Sequence, residues 1–310
     1  MNLMTKEKPY NTLNAYYRYK FHKKVFKVSL NGGFTCPNKD GLSGTGGCIY
    51  CSESGSGDYA GNINSSLQEQ FKTIKDKMSI KWDDAYYIAY FQANTNTYDE
   101  VDKLRKLYET ALTLDPNIVG LSIATRCDAL DDEIYDLLEE LNSKTFLQIE
   151  LGLQSIHNET AKFINRGHSL ECFDHAVKEL RKRNINVVVH IINGFHIETR
   201  EMMLDTVKHL NKLDIQGIKI HLLHIMKNTA LAHVYAMKPF KVLTLEEYKD
   251  IVVEQIEILD PNIIIHRLTG DSPPELLIEP IWSLKKFITI NEIDKELRSK
   301  GSYQGCKFEK

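Results

Sequence analysis

No apolar run in this 310-residue chain approaches the ~20 residues that a helix needs to cross a bilayer. A helical membrane protein is therefore not expected. The opening segment, MNLMTKEKPYNTLN, has no apolar h-region, so no secretory signal is read there and a cytoplasmic protein is expected. In that compartment the six cysteines should be reduced thiols, free for metal or catalysis. No glycine-rich dinucleotide fingerprint follows any strand-like run, which counts against a doubly wound nucleotide-binding fold. No internal repeat is present beyond an alternation of strand-like and helix-like segments. What is plentiful is core material, with 42% hydrophobic and 26% charged residues, the balance of a globular protein.

That alternation predicts the fold. VFKVSL (25–30), YYIAYF (86–91), IVGLSIA (118–124), FLQIEL (146–151), INVVVHII (185–192) and GIKIHLL (217–223) read as strands. Helical patterns fall near 65–78, 98–112, 131–142, 157–183 with a break at Arg166-Gly167, 198–213 and 244–259. A last apolar run, NIIIH (262–266), precedes a Pro-rich turn and a helix from about Asn291. Strands alternating with helices imply an α/β fold of parallel βαβ units with right-handed crossovers. Six units are too few for a closed eight-unit barrel, so a partial (β/α)6 barrel is expected, with an open doubly wound sheet as the alternative. Residues 1–24 read as a basic N-terminal extension, 25–260 as the barrel core, and 261–310 as a C-terminal extension packing on it.

In either architecture ligands bind beyond the carboxyl ends of the strands. The unusual polar segments cluster there: a Cys/Gly loop, QANTNTY (92–98), TRCD (125–128), ELGLQS (150–155), HIINGFHIET (190–199) and HLLHIMKNT (221–229). Both ends of the chain are basic around an acidic body. In the first 30 residues, Lys20, Lys23, Lys24 and other cations alternate with Tyr10, Tyr16, Tyr17, Tyr19 and Phe21. Such a mixture suits phosphate contacts plus base stacking; tyrosines packing a short helix onto the body would look the same.

FTCPNKDGLSGTGGCIYC spaces Cys36, Cys48 and Cys51 as C-x11-C-x2-C. Three thiolates on a glycine-rich loop can wrap an iron–sulfur cluster, and with no fourth cysteine one iron stays open. The rival is a zinc half-site awaiting a fourth ligand such as Cys306. Cys127, Cys172 and Cys306 are single and scattered and read as small buried hydrophobes, although Cys127 sits at a strand end and Cys306 in a tail where it would be reactive. His190, His221 and His224 near strand ends read as core histidines or as site residues.

CPNKDG, GGCIYC with Tyr50 just before the last cysteine, FQANTNTY, ELGLQS and HRLTGDSPPELLIEPIW together resemble the radical S-adenosylmethionine (SAM) superfamily. Within it they resemble the YhcC/YtqA-like branch, related to the Elongator catalytic subunit. The likeness runs from about Tyr10 to the C-terminal segment. It implies that Cys36, Cys48 and Cys51 bind a 4Fe–4S cluster whose open iron is chelated by SAM, and that SAM is cleaved to a 5′-deoxyadenosyl radical. It also implies a reductant such as flavodoxin or ferredoxin. Gln92, Asn94 and Thr95 stand where many members have a Gly-Gly-Glu segment and would meet the SAM amino group. Glu150, Gln154 and Ser155 would reach its ribose or carboxylate, with Glu150 alternatively paired to Arg126, itself a candidate carboxylate clamp. Arg166 would face SAM or substrate, and Asn193 with Gly194 would let the backbone approach the adenine. The branch points to the tRNA wobble uridine, converting 5-carboxymethylaminomethyluridine to 5-aminomethyluridine for a later methyltransferase, with Lys20, Lys23 and Lys24 as RNA contacts. Alternatives are a small metabolite or peptide substrate, or a zinc-stabilised nucleic-acid-binding module without catalysis.

Overall fold

The computed structural model of the protein describes residues 2–309 apart from 56, 81 and 83. Helix α1 (Leu13–Phe21) precedes β1 (Lys24–Leu30). The cysteine loop follows, holding the single-turn α2 (Pro37–Asp40), and α3 (Leu67–Ser79) returns the chain to β2 (Ala85–Phe91). The pattern repeats as α4 (Val101–Leu112) to β3 (Ile118–Thr125), then α5 (Asp132–Lys144) to β4 (Phe146–Gln154). Helices α6 (Asn158–Phe163) and α7 (Leu170–Lys182) lead to β5 (Asn186–Asn193), and α8 (Arg200–Leu210) to β6 (Gly217–Leu222). The short β7 (Ile225–Met226), α9 (Ala230–Met237) and α10 (Leu245–Ile258) lead to β8 (Ile264–Arg267). Strand β9 (Leu277–Glu279) pairs antiparallel with β7, and α11 (Lys286–Lys300) follows.

Seven strands pair in parallel in the order β1-β2-β3-β4-β5-β6-β8. The sheet is curled into a half-barrel, and its interior contacts require the curl. Lys27 on β1 and Lys219 on β6 both bond Glu150 on β4, although β1 would stand ~14 Å from β4 in a flat sheet at ordinary strand spacing. The half-barrel replaces the open-sheet alternative. It also carries one strand more than the six expected. The NIIIH run supplies it: Ile264 and Ile265 pair with Gly217 and Ile218, and a register shift sets Arg267 opposite Lys219. At four residues, β8 is too short to announce itself by period.

Alternation along each strand sorts the side chains. Val28, Leu30, Tyr87, Phe91, Leu121, Ile149 and Leu151 face outward into the core under the helices. The helices answer with apolar stripes, as in α7, where Phe173, Ala176, Val177 and Leu180 are buried at i, i+3, i+4 and i+7. Side-chain caps mark where they start: Ser66 and Thr244 form capping boxes with Glu69 and Glu247. The expected break near Arg166-Gly167 is present, because Gly167 adopts φ +84° between α6 and α7, a region open to glycine.

Helix α1 lies across the amino ends of the strands. Tyr17, Val25 and Ile88 form a separate apolar cluster there with Leu13, Phe21 and Phe146. The Tyr17 hydroxyl donates to Gln148 Oε1 at 2.8 Å, so the bottom of the half-barrel is plugged. Among the described residues no helix is long and apolar enough to cross a membrane.

Candidate active site

A cavity of about 380 Å³ opens at the carboxyl ends of the strands. The cysteine loop, the ends of β1 to β6 and the segment around the end of β8 line it. Cys36, Cys48, Cys51 and Tyr50 all line it.

Local structure holds the loop there. Cys36 caps α2, with Pro37 at the first helical position. Cys51 N–H donates to Cys48 O at 3.0 Å, which curls the C-x2-C turn. Ile49 is stitched on both sides, its N–H donating to Ile164 O and its carbonyl accepting from Leu231 N–H. Asn38 Nδ2 donates to Asn165 O at 2.6 Å and lies 3.6 Å from Cys48 Sγ. Asn165 returns the contact through Gly47 O at 2.8 Å. The sequence offers little signal for either: Asn38 stands in the cysteine loop and Asn165 next to the Arg166-Gly167 break.

Burial pushes the Cys48 thiol up, opposed by the Arg126 guanidinium and by hydrogen bonds from Tyr50 and Asn38. A thiol raised in this way is protonated near neutral pH, and a bound metal would take it as the thiolate. Among the described residues no three His, Cys, Asp or Glu side chains converge on one ion-sized point. Cluster thiolates each take a different iron and need not converge. Cys36, Cys48 and Cys51 form no disulfide and line one cavity, as a cluster loop would.

Of the residues expected around SAM, Gln92, Asn94, Thr95, Arg126, Glu150 and Gln154 line the cavity. Asn94 and Gln154 adopt φ +60° and +62°, strained for non-glycine residues and typical of a built site. Lys39 Nζ donates to Asn94 Oδ1 at 3.1 Å. Arg126 does not pair with Glu150. Its Nε and Nη2 grip Asp128 at 2.8 and 2.7 Å, since the chain turns right after β3 and brings that carboxylate back under the guanidinium. Ser155, Arg166 and Asn193 stand behind the wall. Ser155 Oγ donates to Glu198. Arg166, fully buried, gives its donors to the carbonyls of Leu153, Ser155 and His168. Asn193 and Gln255 exchange amide hydrogen bonds of 2.8 and 2.9 Å.

Glu150, 1% exposed, is the hub of the floor. It accepts from Lys27, Lys219, Ser122, Tyr90 and His190. Burial alone would raise its carboxyl, yet the Lys219 and Lys27 ammoniums and the His190 bond hold it well below the usual range. Burial pulls Lys219 down to about 7 and His190 to about 4, each opposed by Glu150. His221 and His224 face the same cavity, and burial keeps both imidazoles neutral. Cys127 and Cys172 are neighbours in the fold, each shifting the other's thiol, Cys127 upward and Cys172 downward.

Lys20, Lys23 and Lys24 lie at the other end of the barrel. Lys24 opens β1 opposite Ala85, Lys23 pairs with Asp84 at 2.6 Å, and Lys20 stands 4.9 Å over the Phe146 ring. The tyrosines between them serve the α1 plug, so these lysines do not reach the cavity.

A half-barrel with a three-cysteine loop at its carboxyl end defines a class of enzyme, and the comparisons agree. The model of the radical SAM superfamily matches residues 42–210, and that of the radical SAM C-terminal domain matches 215–299. The chain belongs to the radical SAM superfamily, whose members are enzymes, and its cofactors are the 4Fe–4S cluster and SAM of that superfamily. The reading as a non-catalytic zinc module is thereby set aside. The chain is 50% identical over 304 residues to YtqA of Bacillus subtilis (strain 168), covering 98% of this chain and 94% of that protein. It is 25% identical over 191 residues to the tRNA uridine(34) acetyltransferase of Methanocaldococcus infernus, covering 61% of this chain and 35% of that protein. The solved structure of Methanocaldococcus infernus Elp3 with an N-terminal deletion shares the fold at a TM-score of 0.71 and 19% identity, over 90% of this chain and 64% of that one.

Proposed function

We propose that this enzyme modifies tRNA at the wobble uridine, removing the carboxymethyl group of 5-carboxymethylaminomethyluridine to leave 5-aminomethyluridine. The observation that carries the reading is the match over 191 residues to a protein named for its action on uridine 34 of tRNA. The cavity, about 380 Å³, has no room for a duplex, so an RNA substrate would present a splayed base, and an anticodon loop offers such bases.

Cys36, Cys48 and Cys51 would hold the cluster by three irons and leave the fourth without a protein thiolate. The bound cluster and SAM supply reductive carbon–sulfur cleavage and hydrogen-atom abstraction. The chain's own residues supply position. Arg126, clamped by Asp128, with Gln92, Asn94, Thr95 and Gln154 would orient SAM beside the loop. Arg166 and Ser155 act one layer back, holding the end of β4, and the Asn193–Gln255 pair does the same for β5. A one-electron donor such as flavodoxin or ferredoxin would reduce the cluster, and a methyltransferase would take the amine product.

The test is nucleoside mass spectrometry of tRNA from a deletion strain. The expected result is accumulated 5-carboxymethylaminomethyluridine with loss of the species downstream. An unchanged wobble-uridine profile would overturn the reading.

A further inference from the structure

Lys27 and Lys219 share one carboxylate, Glu150. Next to them Arg267, at the end of β8, stands 3.4 Å from Asp271, which is also paired with Lys286 at 2.7 Å. Two nearly buried ammoniums thus meet one carboxylate, while His190, His221 and His224 add no negative charge. An uncompensated cation in a buried site is costly, and an incoming anion removes the cost. A second observation points the same way. His221 Nε2 is buried without a hydrogen-bond partner, although its ring lines the cavity and lies 5.3 Å from that of His190. Gly270 lies against both rings of this corner, where a Cβ would come within 3.3 Å of His224 Cε1 and 3.6 Å of His221 Nδ1.

We propose that Lys219, His221 and Arg267, on the β6–β8 wall of the cavity, form a subsite for a carboxylate carried by the substrate. The identity of that substrate rests on the uridine reading above, in which the side chain to be removed ends in a carboxylate. Lys219 supplies charge at the floor, Arg267 a fork suited to two oxygens, and the His221 imidazole a hydrogen bond once its proton sits on Nε2. SAM also carries a carboxylate, but that group and its amine would chelate the open iron of the cluster, so the subsite is left for the substrate.

The experiment uses cluster-loaded protein and trifluoroacetate followed by 19F NMR. Saturable line broadening is expected with the wild type, reduced at least tenfold in K219M and R267Q, absent with trifluoroacetamide and unaffected by saturating SAM. Retained cluster absorbance shows that a variant is folded, and R267Q, at a side chain 34% exposed, keeps the test decisive if K219M does not fold. Equal broadening in wild type and variants overturns the subsite, as does broadening by the neutral amide. Displacement by SAM overturns it too, assigning the wall to the cofactor. A second arm compares anticodon stem-loops carrying 5-carboxymethylaminomethyluridine or its methylamide. The acid should be preferred at least tenfold in kcat/KM, with the preference lost in R267Q. Trifluoroacetate binding of the expected kind without turnover of either RNA retires the uridine reading and leaves the carboxylate subsite standing.

Discussion

Cys48 shows how little a cluster ligand resembles an exposed reactive thiol. Burial raises it, and only Arg126, Tyr50 and Asn38 lean the other way, so in the apoprotein it gains little by ionising. Replacing Cys48 with Ala should abolish both the iron–sulfur absorbance and the formation of 5′-deoxyadenosine from SAM; cleavage that survives would refute the ligand assignment. Lys219 makes a different prediction. Burial lowers its ammonium from 10.5 to about 7. The folded protein therefore binds fewer protons than the unfolded chain between those limits, and stability tied to Lys219 rises with pH across that window. The melting temperature of wild type minus that of K219M, read by calorimetry, should increase from pH 7 to about pH 9; a constant difference would contradict the assignment. Both lysines of the floor were legible in the sequence and went unread. In KVFKVSL and GIKIHL each stands between apolar neighbours. In a parallel strand covered on its outer face, a lysine between them has only the barrel interior to enter.

Among the elements, α1 takes the packing reading of the two that its sequence left open. Its cations and tyrosines look like an arm for nucleic acid, because composition states what a segment carries and not what it packs on. In the structure Tyr17 is a plug residue, hydrogen-bonded to Gln148 and edge-on to Phe146. Tyr17→Phe leaves Gln148 Oε1 without its donor and should cost about 1–2 kcal/mol in urea denaturation; no measurable change would show that the plug is not held this way. The six longer strands, the helices between them and the cysteine loop could be read in advance because period and spacing are local properties. Strand β8 could not, since its four residues depend on β6 for their identity. The same limit applies to Arg126: an acidic partner on the neighbouring strand looked natural, but the turn after β3 offered Asp128 two residues away.

At the scale of the whole molecule, the positions of the charged groups decide what each end of the barrel can do. Lys20, Lys23 and Lys24 stand at the amino ends of the strands and the cavity at the carboxyl ends. The triple substitution of these lysines by Ala should change kcat/KM on a short anticodon stem-loop by less than about twofold, and a tenfold loss would place the RNA at the other end of the barrel. The plug has a kinetic consequence as well. With α1 closing the floor, the mouth beside the cysteine loop is the way in and out among the described residues. A nucleoside seated there stands in the doorway of everything deeper. Occupants must therefore queue, with the deepest admitted first and released last. RNA far above saturation should then slow turnover by trapping spent cofactor fragments behind it.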